Sequence, residues 1–337
     1  MLNYTRIPLL YHPTNVAILD DEPEFLDFMR QTVSHEIPYV TETDPKKLLH
    51  YLSSHSYQPD TLSSLITKQH FDTENIDLNG TSEYFQVDYQ QLQGELDKPN
   101  RFKKILVIFV DQVLKSKQSG LDFCRQVRET GLKIKLVLLT GQALVEEAIQ
   151  ALNDGLIDAY LNKGNVDTLE KNINHLIKQY MWEAFMEIGQ SLSGFLSHLM
   201  KPLSDEQFIK VFDQVRQSQG TVEFYSLNTS CSFLLVNAVG AVKQFLACDE
   251  DAFKDIYDLA QDSKAPYDVL QAIRGRQQFP FTKTERGRLN LKGDAWENVM
   301  VSMDKVPGRE WYYAVVERPD LKPFSFKRYF DEIWPQP

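Results

Sequence analysis

The chain has 337 residues, 42% of them apolar or aromatic and 25% charged, with a formal net charge of −11. That is globular usage over a length that suits about two domains, which excludes a disordered chain, a fibrous repeat and a disulfide scaffold. The charge is −7 up to Met181 and −4 beyond it, so neither part has the cationic excess of a protein that binds by neutralising phosphates.

Three cysteines (Cys124, Cys231, Cys248), none in a CxxC pair, fit a reducing cytoplasm. Seven scattered histidines with no HExxH argue against zinc. No apolar run approaches the roughly 20 residues that cross a bilayer, so no membrane segment is expected. The opening MLNYTRIPLLYHP lacks a signal-peptide pattern.

The first half alternates strands and helices. Asn15–Leu19 (NVAIL) predicts a buried strand, and in Glu24–Ser34 the residues Phe25, Phe28, Met29 and Val33 recur at helical spacing. Tyr39–Thr43 predicts a second strand. Asp44 is then placed to cap a helix over Lys46–Ser54, with Pro45 in its first turn and Leu48, Leu49 and Leu52 inward. Ile105–Val110 is a continuous β-rich run, followed by a helix at Gly120–Arg128, a strand at Leu136–Leu139, a helix at Leu144–Leu152 and a strand at Ala159–Leu161. Strands alternating with helices of this length imply βαβ units and an α/β fold, a doubly wound five-stranded parallel sheet. Residues 57–102 interrupt the rhythm. Their polar text and turn signals, Asn79–Gly80 and Pro99 among them, predict an insertion holding short helices such as Leu62–Lys68.

Leu169–Met200 predicts a long helix, or two end to end. Its apolar stripe through Ile173, Ile177, Tyr180, Ala184, Ile188 and Leu192 suits either a core-facing helix or a dimerising connector. Gly189 and Gly194 weaken the second reading, and Pro202 ends the segment. Beyond it come a helix at Glu206–Arg216, strands at Val222–Leu227, Ser232–Val236 and Val242–Leu246, and helices at Asp251–Leu259 and Tyr267–Arg274. Strands at Val299–Met303 and Trp311–Val316 follow, with Pro307–Gly308 as a hairpin turn. The organisation expected is a first domain over residues 1–168 with the insertion at 57–102, a helical connector over 169–204, and a second α+β domain with an antiparallel sheet over 205–337.

In an open parallel sheet, ligands sit beyond the carboxyl ends of the strands. The first strand ends in Asp20 and Asp21, the third in Asp111 and the fourth in Thr140, and Lys163 follows the fifth. Three carboxylates on one edge repel unless a hard divalent cation lies between them, and Mg²⁺ is the expected ion. One carboxylate could then attack a phosphoryl group whose oxygens Lys163 and Thr140 hold.

This constellation resembles the receiver domain of two-component response regulators, over about Asn15–Gln179 apart from the insertion. VAILDDEP is similar to the family's first strand and acidic pair, and VIFVDQ puts Asp111 at the phospho-acceptor position. VLLTGQ puts Thr140 at the family's hydroxyl position, and DAYLNKG puts Lys163 at the lysine position, 52 residues after Asp111. The resemblance implies a cytoplasmic response regulator with a flavodoxin-like receiver, phosphorylated on Asp111 from a histidine kinase or phosphotransfer protein. It implies that Asp20, Asp21, Asp111 and the Val113 carbonyl hold Mg²⁺, that Thr140 and Lys163 take the phosphoryl oxygens, and that Tyr160 is the aromatic coupled to phosphorylation. It further implies a homodimer through Leu144–Leu152 and Ala159–Tyr180, which the connector would extend. The sequence departs from the family at Gln112–Val113–Leu114–Lys115–Ser116, where a Met-Pro pair is usual, and at Gly164 in place of proline. An apolar Val113 cannot position a hydrolytic water, which suggests a long-lived phosphoryl group. It also disposes of a haloacid-dehalogenase-type phosphatase, which needs an acid at that position.

No nucleophile elbow, Walker loop or GGDEF, EAL or HD signature follows Met181, so the output is expected to be non-enzymatic. SFLLVNAVGAVKQFLACDED weakly resembles the opening hairpin and helix of a PAS module. The alternative is contact with nucleic acid or another anion through Arg274, Arg276, Lys283, Arg286, Arg288 and Lys292, with Phe279 and Phe281 as stacking surfaces. A solvated basic loop over two core aromatics accounts for the same residues.

Overall fold

Continuous apolar runs become strands covered on both faces. The computed structural model describes residues 5–33, 37–56, 66–70, 83–87, 89–115, 118–164, 166–193, 201–228, 230–282 and 291–334. Its first part runs β1 (Leu10–Tyr11), β2 (Asn15–Leu19), α1 (Pro23–Thr32), β3 (Tyr39–Glu42), α2 (Pro45–His55), β4 (Ile66–His70), β5 (Glu83–Val87) and α3 (Tyr89–Leu96). It continues with β6 (Ile105–Asp111), α4 (Gly120–Glu129), β7 (Lys135–Thr140), α5 (Val145–Asn153), β8 (Ala159–Asn162) and α6 (Val166–Ser193). Strands β3-β2-β6-β7-β8 form a five-stranded sheet whose pairs are all parallel.

The period-2 geometry of the strands divides their residues between two cores. Val16, Ile18, Val107, Phe109, Val137 and Leu139 face α1 and α6. Ala17, Leu19, Ile108, Val110, Leu136 and Leu138 face α2, α4 and α5. Asp44 caps α2 as expected, its Oδ1 accepting from the Lys46 amide at 2.8 Å.

The second part runs α7 (Glu206–Ser218), β9 (Thr221–Ser226), β10 (Phe233–Asn237), β11 (Val242–Asp249), α8 (Glu250–Asp262), α9 (Tyr267–Arg274) and β12 (Gln278–Pro280). Strands β13 (Met300–Ser302), β14 (Asp304–Lys305) and β15 (Trp311–Glu317) and the short helix α10 (Phe326–Arg328) complete it. Its sheet is six-stranded and antiparallel, in the order β1-β9-β10-β11-β15-β14. The turn at Pro307–Gly308 joins β14 to β15, with Gly308 at φ +68° supplying the left-handed residue.

Three features differ from the sequence reading. The helix expected at Leu62–Lys68 is not formed over its described part: Ile66–His70 is a strand, antiparallel to Glu83–Val87. Its residues 62–65 lie outside the described residues. The connector stripe is not a free seam, because Tyr180 (7% exposed) and Ile188 (5%) are buried in the chain's own core. Helix α6 is continuous to Ser193, while residues 194–200 of the expected segment lie outside the described residues. Finally, both ends of the chain cross over. Strand β1 pairs with β9 of the second sheet, and the C-terminal segment returns to the first domain, where Tyr329 donates to Asn15 Oδ1 at 3.1 Å and Trp334 Nε1 to Tyr39 O at 2.8 Å.

A buried ion pair ties the two parts. Arg101 donates Nε and Nη2 to the Glu223 carboxylate at 2.8 and 3.1 Å, Nη1 to Leu96 O, and Nη2 also to Phe324 O at 2.6 Å. Tyr225 adds a hydroxyl donor to Glu223 at 2.8 Å. Nearby, His12 is buried among Phe102, Phe185 and Tyr225. No helix among the described residues is long and apolar enough to cross a membrane, and the three cysteines are buried and outside any disulfide.

Removing one partner of a buried pair strands the other charge. Glu223→Ala should therefore lower the unfolding free energy by about 3–5 kcal/mol in chemical denaturation, and an Arg101→Met, Glu223→Leu double variant should recover part of that loss. Burial pushes the His12 ring down to about 3. The unfolded chain then binds a proton the folded chain refuses, so stability should fall with pH below 6.5 at up to about 1.4 kcal/mol per pH unit from this residue. Denaturation midpoints from pH 7 to 5, compared with those of His12→Leu, check this.

Candidate functional site

The parallel sheet brings the ends of β2, β6, β7 and β8 to one edge. Strands β2 and β6 are neighbours with Leu19 opposite Val110, so Asp20 and Asp111 leave the sheet side by side. One carboxylate oxygen from each of Asp20, Asp21 and Asp111 lies within 4.8 Å of the others. Asp20 is fully buried, Asp111 is 5% exposed and Asp21 is half-buried.

Lys163 holds two of the three. Its Nζ lies 2.6 Å from Asp20 Oδ2 and 2.8 Å from Asp111 Oδ1, and 4.1 Å from the centroid of the Phe25 ring. Burial pushes both carboxyl groups up from their ordinary values, with the hydrogen bonds from Lys163 opposing it. Burial pulls Lys163 down, but its hydrogen bonds to Asp111 and Asp20 more than offset this, and the ammonium ends above its usual range.

Backbone contacts fix the surrounding loops. Asp20 Oδ1 accepts from the Glu22 amide at 2.9 Å, and Asp21 Oδ2 accepts from the Lys115 amide at 2.5 Å. The Val113 amide donates to Asp111 while its side chain is 60% exposed. A Cβ at Gly120 would stand 2.0 Å from the Asp111 carbonyl oxygen, so that close approach requires glycine. Thr140 is fully buried at the end of β7, donating its hydroxyl to Gly141 O at 3.1 Å, and its carbonyl accepts from the Lys163 amide at 2.9 Å. Tyr160 is half-buried on β8 and packs against the core shared by α2, α4 and α5.

Sequence reasoning named the five polar residues at this edge and missed their supports. Helical spacing puts Phe25 on the apolar face of α1, and its ring also covers the Lys163 ammonium. Gln112 Nε2 donates to Glu147 Oε2 at 3.1 Å, linking the loop after β6 to α5, and nothing in either residue's local spacing marks that contact.

The donor set is all oxygen, three carboxylates converging from two strand ends, and it fits a small hard cation such as Mg²⁺. The ammonium of Lys163 pairs with two of the three carboxylates.

The basic segment is arranged differently. Arg276 pairs with Glu250 at 2.7 Å, and Phe279 packs edge-on against Phe253 in a small core under α8 and α9. Arg274 ends α9, and Lys283, Arg286 and Arg288 lie outside the described residues.

No protein-family model matches the chain, and no curated protein is significantly similar to it. Among solved structures, the Legionella pneumophila response regulator LqsR is 26% identical with a TM-score of 0.75, over 97% of this chain and 96% of that one. The signal receiver domain of a putative Luxo repressor protein from Vibrio parahaemolyticus is 12% identical with a TM-score of 0.33, over 52% of this chain and 95% of that one. The Francisella response regulator 1452 receiver domain is 18% identical with a TM-score of 0.30, over 49% of this chain and 98% of that one.

A cation that binds only the folded site stabilises it by mass action. At 10 mM Mg²⁺ the gain should be about 1.4 kcal/mol for a dissociation constant of about 1 mM, and thermal unfolding of the parent and of Asp21→Ala, which should lose the gain, reads it.

Proposed function

We propose that this chain, a response regulator with a receiver domain and an additional α+β domain, is phosphorylated on Asp111 in a Mg²⁺-dependent reaction by a histidine kinase or phosphotransfer protein in the cytoplasm. The observation that carries this reading is the Lys163 ammonium bridging Asp20 and Asp111 at the carboxyl edge of the parallel sheet. A carboxylate oxygen of Asp111 attacks the phosphorus of a phosphohistidine. The P–N bond breaks, and its electron pair stays with the leaving imidazole. Lys163 stands 2.8 Å from the nucleophile and is positioned to follow the charge onto a phosphoryl oxygen. The Thr140 hydroxyl, now on Gly141 O, would turn to a second phosphoryl oxygen, and the half-buried Tyr160 would take up the space it leaves. Mg²⁺, held by Asp20, Asp21, Asp111 and the Val113 carbonyl, would neutralise the charge that develops on those oxygens.

The exposed apolar side chain of Val113 offers nothing to orient a hydrolytic water, which supports a long-lived phosphoryl group. The output is read as a non-enzymatic relay through a PAS-like regulatory module, in which the β10–β11 hairpin leads into α8. A homodimer would use the α5 and β8 face, where Ile149 (41% exposed) and Leu152 (37%) stand free of the core, rather than the occupied stripe of α6. Nucleic-acid contact through residues 274–292 is the weaker reading, because Arg276 is already neutralised by Glu250 and Phe279 is packed in the core.

Acetyl phosphate with Mg²⁺ should give an acid-labile label on the parent and none on Asp111→Asn, and sedimentation of both should show association in the labelled parent alone. Label that persists in Asp111→Asn sinks the assignment.

A further inference from the structure

A cleft of ≈ 550 Å³ lies between the receiver and the second domain, away from the carboxylate edge. It falls within the size range of small-molecule sites, roughly 300–1,000 Å³. The strand-to-strand link after β1 contributes Thr14, helix α6 contributes Lys178 and Met181, and the second domain contributes Arg216 and the C-terminal residues Lys327 and Phe330.

Charge marks it for an occupant. Lys178 is exposed and makes no ion pair among the described residues. Arg216 gives Nε and Nη2 to Asp213, at 3.0 and 2.5 Å, and its Nη1 is unengaged among the described residues. The one carboxylate on the lining, Asp331, is already paired with Lys327 at 2.8 Å. The rest of the lining is largely apolar, with Met181 buried and Ile37 8% exposed. A bare inorganic anion would leave those walls unfilled.

We propose that this cleft binds a small organic anion with an apolar body, its acidic head between Lys178 and Arg216 and its body against the apolar walls. Such a ligand touches α6 and the second domain at once. It is therefore a second input to the protein, made at the seam and not at Asp111.

The test uses the full chain and two dyes that differ by one sulfonate, 8-anilinonaphthalene-1-sulfonate and its neutral counterpart N-phenyl-1-naphthylamine, titrated by fluorescence. The sulfonate should bind saturably, one per chain and about tenfold or more tighter than the neutral dye. Lys178→Gln with Arg216→Gln should weaken the sulfonate by about tenfold and leave the neutral dye within about twofold. Ala238→Phe, which fills the cleft from its lining, should abolish both. Thermal unfolding checks that each variant folds, and Lys178→Gln alone changes only an exposed residue, so its partial loss of sulfonate affinity is readable in any case. Equal binding of the two dyes, or sulfonate binding unchanged by Lys178→Gln and by Ala238→Phe, overturns the proposal.

Discussion

Helix α6 has more apolar surface than one sheet can cover, and the architecture follows from covering it. On one side it is fastened to the receiver: Asn174 donates to Thr32 O at 2.8 Å, and Lys135 at the start of β7 reaches Glu187 at 2.6 Å. On the other, Trp182 meets Tyr11 at 5.6 Å and Phe224 at 5.9 Å between ring centroids, and Phe185 meets Tyr11 at 5.3 Å. One cluster of buried residues runs without a break from Val16 and Val107 of the parallel sheet, through α6, to Phe212 and Phe233 of the second domain. The two domains are successive in sequence and share a core in space. A 28-residue helix whose stripe was open to water would instead need a partner chain to cover it.

The polar seam has a different logic. Arg101 and Glu223 are 5% and 0% exposed, so their mutual attraction is set against the cost of drying two charges. What makes the pair acceptable is full occupancy: the guanidinium meets a carboxylate and three backbone carbonyls, and the carboxylate also accepts from Tyr225. Such a network is satisfied in one arrangement only. It fixes how the end of the insertion, strand β9 and the chain's C-terminal stretch meet, whereas the apolar cluster around it would tolerate small slips.

The sequence made the receiver legible because its strands are continuous apolar runs and its chemistry sits where those runs stop. NVAIL, ILVIFVD and KLVLLT are buried along their whole length, and Asp20, Asp111 and Thr140 mark their ends. What was hidden depends on partners far away in the chain. A stripe such as Ile173, Ile177, Tyr180, Ala184 and Ile188 shows that a surface will be covered, but not by what. Its cover includes β1, a two-residue strand with no periodicity to announce it. The polar strand Ile66–His70 (ITKQH) pairs with Glu83–Val87, a partner that its own short text does not name. Likewise Arg276 reads as a free cation until Glu250, at the start of a helix 26 residues earlier, is found beside it.

The site and the shared core are joined by very few residues. Lys163, whose ammonium holds Asp20 and Asp111, is followed at once by Gly164 and then by α6, which begins at Val166. Both residues are pinned: the Lys163 amide donates to Thr140 O at 2.9 Å, and the Gly164 amide to Asn162 Oδ1 at 2.8 Å. From there the helix spans about 42 Å at 1.5 Å per residue, and its later half lies in the core it shares with the second sheet. Interiors this dense do not deform smoothly, so a change at Lys163 either stays in its side chain or moves the helix against both sheets. The two-state element that would couple the halves therefore has to be sought in how α6 packs, among residues already buried, and not at a surface that opens.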